Sequence, residues 1–330
     1  MTNTLIPGIY TSYELSGVRY THKNAGTAGL VWKGDTDETS VSAFTSLSQI
    51  ASVYGTDSTV FALSSVLFAN GASCVKSVQI KEDYDSGFAL LAAETDVAVT
   101  LCDSEDINVH QSMKNSILSC GENSKYRVGV VWKTGDVNTL TAHAKAINCE
   151  RMVLLPDVYC AAALAGVILG TEDPSLPFNG AVLYGAEAEF NYAETEINSL
   201  LQGGVTPIRT VGNECEVVRC VTTKTETEGL SDSTWRDVNT VLTADYVMMQ
   251  IKANLRTMFT RAKNTERTRG AVRTQTVICL ERMLDMGIIE SYGNVTAVKS
   301  ETDPNVCEVN FEFSVAGGMH SIIIAAGLTV

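Results

Sequence analysis

The sequence predicts an α/β fold, grading into α+β, with mixed sheets, packed helices and strand-forming arms at both ends. Three observations predict it. Short apolar runs alternate with helix-length segments between Gly29 and Gly170, the rhythm of a core sheet with helices packed on it. Beyond Pro174 and Pro177 this rhythm gives way to a hairpin signal and two long helical patterns. Finally, Cys307, Val309, Phe311, Phe313 and Val315 alternate strictly with Glu308, Asn310, Glu312 and Ser314, as in a strand with one buried face.

Residues 1–22 read as an extended arm. Pro7-Gly8 breaks any helix, and Ile9, Thr11, Tyr13 and Leu15 share one strand face with Tyr10 opposite. Leu30-Val31-Trp32 is a short strand. Residues 46–54 and 60–69 are helices closed by Gly55 and Asn70-Gly71. A strand at 75–80, a helix at 88–93 and a buried strand at 97–101 follow. The alternation continues with helix 109–118, strand 127–132, helix 140–147, strand 152–155 and an apolar helix 158–169 stopped by Gly170.

In the second half, 193–201 is a helix ending in Gly203-Gly204, and strands 206–211 and 216–221 flank a turn at Gly212-Asn213. Thr234 with Asp237 suggests a capping box. It would open a long helix whose core stripe is Val241, Ala244, Met248, Ile251, Leu255 and Met258. The run KNTERTRG reads as a loop before a second helix at 272–285, capped by Gly287. Strands at 288–298 and 307–315 follow. After Gly317-Gly318 the chain carries Ile322, Ile323 and Ile324, an uncharged β-branched segment that needs a partner strand. Gly317-Gly318 is a flexible hinge, which favours donating that strand to a neighbouring copy. The expected units are therefore an arm at 1–22, an α/β domain at 23–190, a C-terminal domain at 191–315 and a strand arm at 316–330.

With 45% hydrophobic and 19% charged residues, the chain is an ordinary globular one. No apolar run approaches the ~20 residues of a membrane span, so no membrane insertion is expected. The opening MTNTLIPGIYTSYE lacks a basic stretch before an apolar one, predicting no secretory signal. Nine cysteines occur without a Cys-x-x-Cys pair, and most sit in apolar runs as small hydrophobes. That predicts folding in a reducing compartment, without disulfides or zinc.

The net charge is −14, but it is unevenly spread. Lys252, Arg256, Arg261, Lys263, Arg267, Arg269 and Arg273 face only Glu266 within their window, whereas 82–106 holds eight acids and no base. One basic patch on an acidic body suits an acidic protein partner or another copy of the chain. It suits nucleic acid poorly, because the acidic bulk repels a phosphate backbone and Phe259 is the only nearby aromatic.

The search for chemistry is thin. Gly-x-Ser-x-Gly, Walker, His-Glu-x-x-His and Gly-x-Gly-x-x-Gly patterns are all missing from the sequence. NAGTAG at 24–29 is a small-residue turn rather than a phosphate cradle. His22, His110, His143 and His320 are scattered. Asp157, at the end of a strand, stands where an α/β enzyme places a catalytic acid, but a turn cap explains it equally well. No catalytic residue, cofactor or metal is predicted.

The ordered set of segments resembles contractile tail sheath proteins of bacteriophages and R-type bacteriocins. It comprises PGIYTSYE, then LLQGGVTPIRTV followed by VVRCVTT, then WRDVNTVLTADYVMMQIKANLRTMFTRAKNT with its Asp245 and Asn264, then LERMLDMGIIESY and the final apolar strand. The resemblance implies a structural subunit that polymerises helically around an inner tail tube and contracts to drive the tube through a cell envelope. It implies arms at about 4–15 and 319–330 that add strands to neighbours, and a C-terminal domain facing the tube. Lys252, Arg256, Arg261, Lys263, Arg267 and Arg269 would be the tube contacts, and 23–190 the outer part. Other implied partners are baseplate and tail terminator proteins, in a particle assembled in the bacterial cytoplasm. At 330 residues there is little room for the extra outward domains many sheath proteins carry. The alternatives are a cytosolic α/β enzyme with a site near Asp157, and a non-contractile phage structural protein.

Overall fold

The computed structural model describes residues 26–186 and 189–318. The arm positions Ile9, Tyr10, Thr11, Tyr13, Ile322, Ile323 and Ile324 lie outside the described residues.

The first half is a three-layer α/β sandwich. Its strands are β1 (Thr27–Lys33), β2 (Ser42–Phe44), β3 (Cys74–Ile80), β4 (Val99–Cys102), β5 (Val128–Trp132) and β6 (Met152–Leu155). They form one sheet in the order β2-β3-β1-β4-β5-β6, parallel except for β2. Helices α1 (Leu47–Tyr54) and α2 (Thr59–Ala69) precede β3, and α3 (Tyr84–Ala93), α4 (Ile107–Glu122) and α5 (Val137–Ile147) connect the next strands. Helix α6 (Val158–Gly170) follows β6. Alternate residues of β1 enter opposite cores: Leu30 and Trp32 join the α2 and α6 side, and Val31 joins the α3, α4 and α5 side. Two-sided burial explains why these strands read as continuous apolar runs.

Asp106, Asp136 and Asp157 each cap the helix that follows with a carboxylate accepting backbone amides. Asp157 accepts from Tyr159 and Cys160 at 2.8 and 3.0 Å, so the cap is its structural role. Within NAGTAG, Gly26 is a turn residue with φ 62°, and from Thr27 onward the segment is β1 rather than turn. Helix α6 is buried nearly all round, and it crosses α2 at a distance only glycine permits. A Cβ on Gly166 would lie 2.6 Å from the Cβ of Asn70 and 2.7 Å from the Leu67 carbonyl oxygen.

At the carboxyl end of the sheet the strand order reverses between β1 and β4, the place where open α/β sheets form a crevice. Here Asp103 fills it. Its carboxylate accepts the Lys33 amide at 2.9 Å and the Tyr84 hydroxyl at 2.7 Å. Next to it, Glu105 accepts the Thr134 hydroxyl at 2.8 Å.

The outer edge of β6 is covered by the middle of the chain. The Thr206 and Thr223 amides donate to the Leu154 and Met152 carbonyls at 2.9 and 2.8 Å. Helix α7 (Glu194–Gln202) and the hairpin β7 (Ile208–Val211) with β8 (Glu214–Val217) contribute Leu200, Ile208 and Val217 to the two α/β cores. A small hairpin follows, β9 (Glu226–Thr227) with β10 (Leu230–Ser231).

The C-terminal part has its own core. Helices α8 (Val238–Phe259) and α9 (Glu266–Asp285) lie over the antiparallel pair β11 (Ile289–Lys299) and β12 (Cys307–Val315). Val247, Ile251, Leu255, Leu280 and Met283 meet Val309, Phe311 and Phe313 from the inward face of β12. The outward residues Asn310, Glu312 and Ser314 are exposed, as the alternation predicts.

Three expectations are corrected. Thr234 does not cap α8. Residues 221 and 222 pair with the extended segment ahead of the helix, through the Val221–Asp237 bridge and the Thr222 amide on the Arg236 carbonyl. The helix therefore opens only at Val238. Its buried stripe runs through Val247, and Met258 is 58% exposed. The supposed loop KNTERTRG is mostly helix, because the Thr265 hydroxyl accepts the Thr268 amide and starts α9 at Glu266.

Candidate assembly surface

Two features of the C-terminal part stand out: a cationic tip on the helix pair and the two-stranded β11–β12 sheet. The tip comprises the end of α8, the connection 260–265 and the first turn of α9. It brings together Arg256, Arg261, Lys263 and Arg267, all exposed. None of these four forms an ion pair with a described residue. Lys252 lies one turn before Arg256 and is half-buried. Desolvation, then the Arg256 charge, holds its ammonium below the usual lysine range. An opposite charge within about 4–6 Å of an ammonium acts against both effects by favouring its charged form.

Arg269 and Arg273 act internally. Arg269 donates to the Asn264 side-chain oxygen at 3.0 Å. Asn264 in turn donates to the Pro304 and Val306 carbonyls at 2.9 and 3.0 Å, tying the tip to the turn between β11 and β12. Arg273 donates to the Val295 carbonyl at 2.8 Å. These bonds hold the tip in a fixed place relative to the hairpin. Sequence reading grouped all the cations, because it carried no information on which carbonyls lie within reach.

The β11–β12 pair forms a two-stranded sheet, and among the described residues neither outer edge is paired. Its ladder is interrupted near Asn294, which has φ 51°. Unpaired edge amides and carbonyls are a template for further strands.

The joint between the two halves escaped sequence reading. Arg151, ahead of β6, and Asp245, on α8, form a two-pronged ion pair with bonds of 2.8 and 2.7 Å. Their side chains are only 3% and 6% exposed. The guanidinium also lies over the Tyr126 ring, 5.4 Å from its centroid. Arg219 grips Asp237 at the start of the same helix through two 2.8 Å bonds.

Residues 231–329 match the family model of the phage tail sheath C-terminal domain. Solved sheath structures also align with 90% to 99% of this chain. The fold is that of a tail sheath protein. The contracted helical sheath of the anti-feeding prophage aligns with 99% of this chain and 100% of that one, at a TM-score of 0.72 and 16% identity. A sheath tail protein from Listeria innocua aligns with 90% of this chain and 93% of its own, at 0.71 and 11% identity. One from Desulfitobacterium hafniense aligns with 94% and 100%, at 0.66 and 10% identity. No curated protein sequence matches the chain. In this sheath fold, the α8–α9 tip and the β11–β12 sheet both fall within the segment matched by the family model.

Proposed function

We propose that the protein is the structural subunit of a contractile tail sheath, polymerising helically around an inner tube and shortening to drive the tube through a cell envelope. The observation that carries this reading is the β11–β12 sheet, neither of whose outer edges is paired among the described residues, in a chain whose two ends hold strand-forming sequence. Residues 4–15 of one copy and 319–330 of another would add strands to the open edges of a third. Neighbours linked in this way stay connected while their other contacts are exchanged.

The cationic tip, with Lys252, Arg256, Arg261, Lys263 and Arg267, faces the tube in this reading and meets acidic groups there. Arg269 holds the tip's shape. Extended and contracted states then differ in how many tip contacts and subunit contacts are made. Baseplate and terminator proteins bound the polymer at its ends, in a particle assembled in the bacterial cytoplasm.

The test is negative-stain electron microscopy at rising protein concentration, alone and with tube protein. Hollow helical tubes are expected from the full chain, and soluble monomer from a chain lacking 319–330. Wild-type-like tubes from the truncated chain would remove the strand-donation mechanism. Uniform small particles from the full chain at every concentration, with tube protein present, would remove the sheath assignment.

A further inference from the structure

We propose that the β9–β10 hairpin docks on the cationic tip of a second copy of this chain, with Leu230 against Met258 and the hairpin carboxylates among the tip cations. A two-stranded ribbon this short is marginal by itself. Here it is fastened. The Asn148 side-chain oxygen accepts the Thr225 and Glu226 amides at 3.1 and 3.3 Å, and its nitrogen donates to the Glu226 carbonyl at 3.0 Å. Lys145 pairs with Glu226 at 2.6 Å. Glu228 and Gly229 both have positive φ, as in the two-residue turn that matches the twist of paired strands.

What this fixed ribbon displays is apolar. Leu230 is 74% exposed, the highest value among the described large hydrophobic residues. Two carboxylates flank it. Glu228 is exposed and forms no ion pair with a described residue. Asp232 accepts the Thr227 hydroxyl and the Thr234 amide at 2.6 and 2.9 Å. These bonds lower it to about 2 and keep it ionised.

The tip is the complement. Met258 is 58% exposed and stands in sequence between the exposed cations Arg256, Arg261 and Lys263. Each patch therefore has an apolar centre flanked by charge, of opposite sign in the two, which is the layout of a dry core with a polar rim. The two patches of one chain do not meet, because Leu230 and Met258 both stay exposed and no tip cation pairs with Glu228 or Asp232. The contact runs from one copy to the next. Hairpin and tip are different surfaces, so the contact is heterologous and propagates into a ring or an open helix. In the function proposed above the tip lies on the tube while the sheath is extended, and the hairpin gives it an acidic seat once it leaves. That reading supplies only the timing; the contact itself needs no tube.

The test is zero-length carbodiimide crosslinking, which joins a lysine to a carboxylate in contact with it, on the full chain at rising concentration without tube protein. Isotope-labelled and unlabelled copies are mixed so that crosslinks within one chain can be told from those between chains. Lys145 with Glu226 is the control within one chain, and Lys263 with Glu228 or Asp232 is expected between chains. Leu230→Asp supplies a second readout: it should raise the concentration at which polymers form about tenfold and leave thermal unfolding of dilute monomer unchanged. Between-chain crosslinks of Lys263 only to other carboxylates, or none at the highest concentration, would overturn the proposal. Unchanged assembly of L230D would do the same. Crosslinked oligomers that never grow into tubes would keep the contact and remove the sheath reading, and tubes lacking the crosslink would do the reverse.

Discussion

Replacing Asp245 with alanine leaves the Arg151 guanidinium buried beside the Tyr126 ring, with the Arg127 carbonyl at 3.4 Å as a weak acceptor. Both side chains are less than a tenth exposed, and two charge-assisted bonds under 3 Å disappear together. Stranding one charge of such a pair costs about 3–5 kcal/mol. Asp245→Asn keeps one acceptor and should lose about 2 kcal/mol. The assay is urea unfolding of dilute monomer, followed by midpoint and slope. The double variant R151M/D245L removes both charges and should recover most of the loss, because an apolar pair of similar volume no longer strands a charge. A loss below about 1 kcal/mol for D245A, or no recovery in the double variant, would refute the view that this joint depends on charge compensation.

Three further outcomes are expected. Gly166→Val should destabilise the fold by about 1–3 kcal/mol through overpacking of the α2–α6 crossing, and unfolding equilibria would show it; a neutral result would mean the helices separate easily. Acid should weaken the protein through the buried pair His110 and His143, whose ring nitrogens lie 2.8 Å apart. His110 Nε2–H donates to the Ser104 carbonyl, so its Nδ1 must accept from His143. Desolvation, helped by the neighbouring His143 and Lys133 and opposed by the Ser104 bond and Asp106, lowers His110 to about 4. A depressed histidine contributes stability above its ordinary value near 6.5, and loses it as pH falls through the window toward 4. The loss is about 3 kcal/mol, and His110→Gln should flatten that part of the unfolding profile. Finally, R261E/K263E should leave thermal unfolding unchanged while abolishing tube pull-down, and added salt should weaken the parent's hold in the same direction; pull-down unaffected by either change would place the tube contact elsewhere.

The sequence was most legible where burial is symmetric. Met152–Leu155 is read to its boundaries because both faces of β6 are covered, so every residue is apolar. The alternation in Cys307–Val315 was equally plain, since only one face of β12 is covered. Helix starts were read less well. Gly270 and the charges around it argue locally for a loop, yet the Thr265 hydroxyl and the packing of Val272 carry α9 back to Glu266. At Thr234, a cap-like spacing lost to pairing between Val221 and Asp237. The candidate surface was half legible. Charge density marked the tip, but which cations are already bound depends on carbonyls such as Val295, met only in three dimensions. Arg151 and Asp245 stand 94 positions apart, and nothing local to either residue announces the other.

Asp103 has a consequence beyond closing a gap. A carboxylate fixed to the chain competes with any dissolved anion at an effective concentration in the millimolar range or above. It already satisfies the Lys33 amide and the Tyr84 hydroxyl. A phosphate or carboxylic acid from solution would have to evict a tethered rival that cannot diffuse away. The same rival laces the loops after β1 and β4 together. Where related strand orders keep a vacancy for a guest, this chain supplies its own permanent occupant, and the end of the sheet becomes a stiff wall.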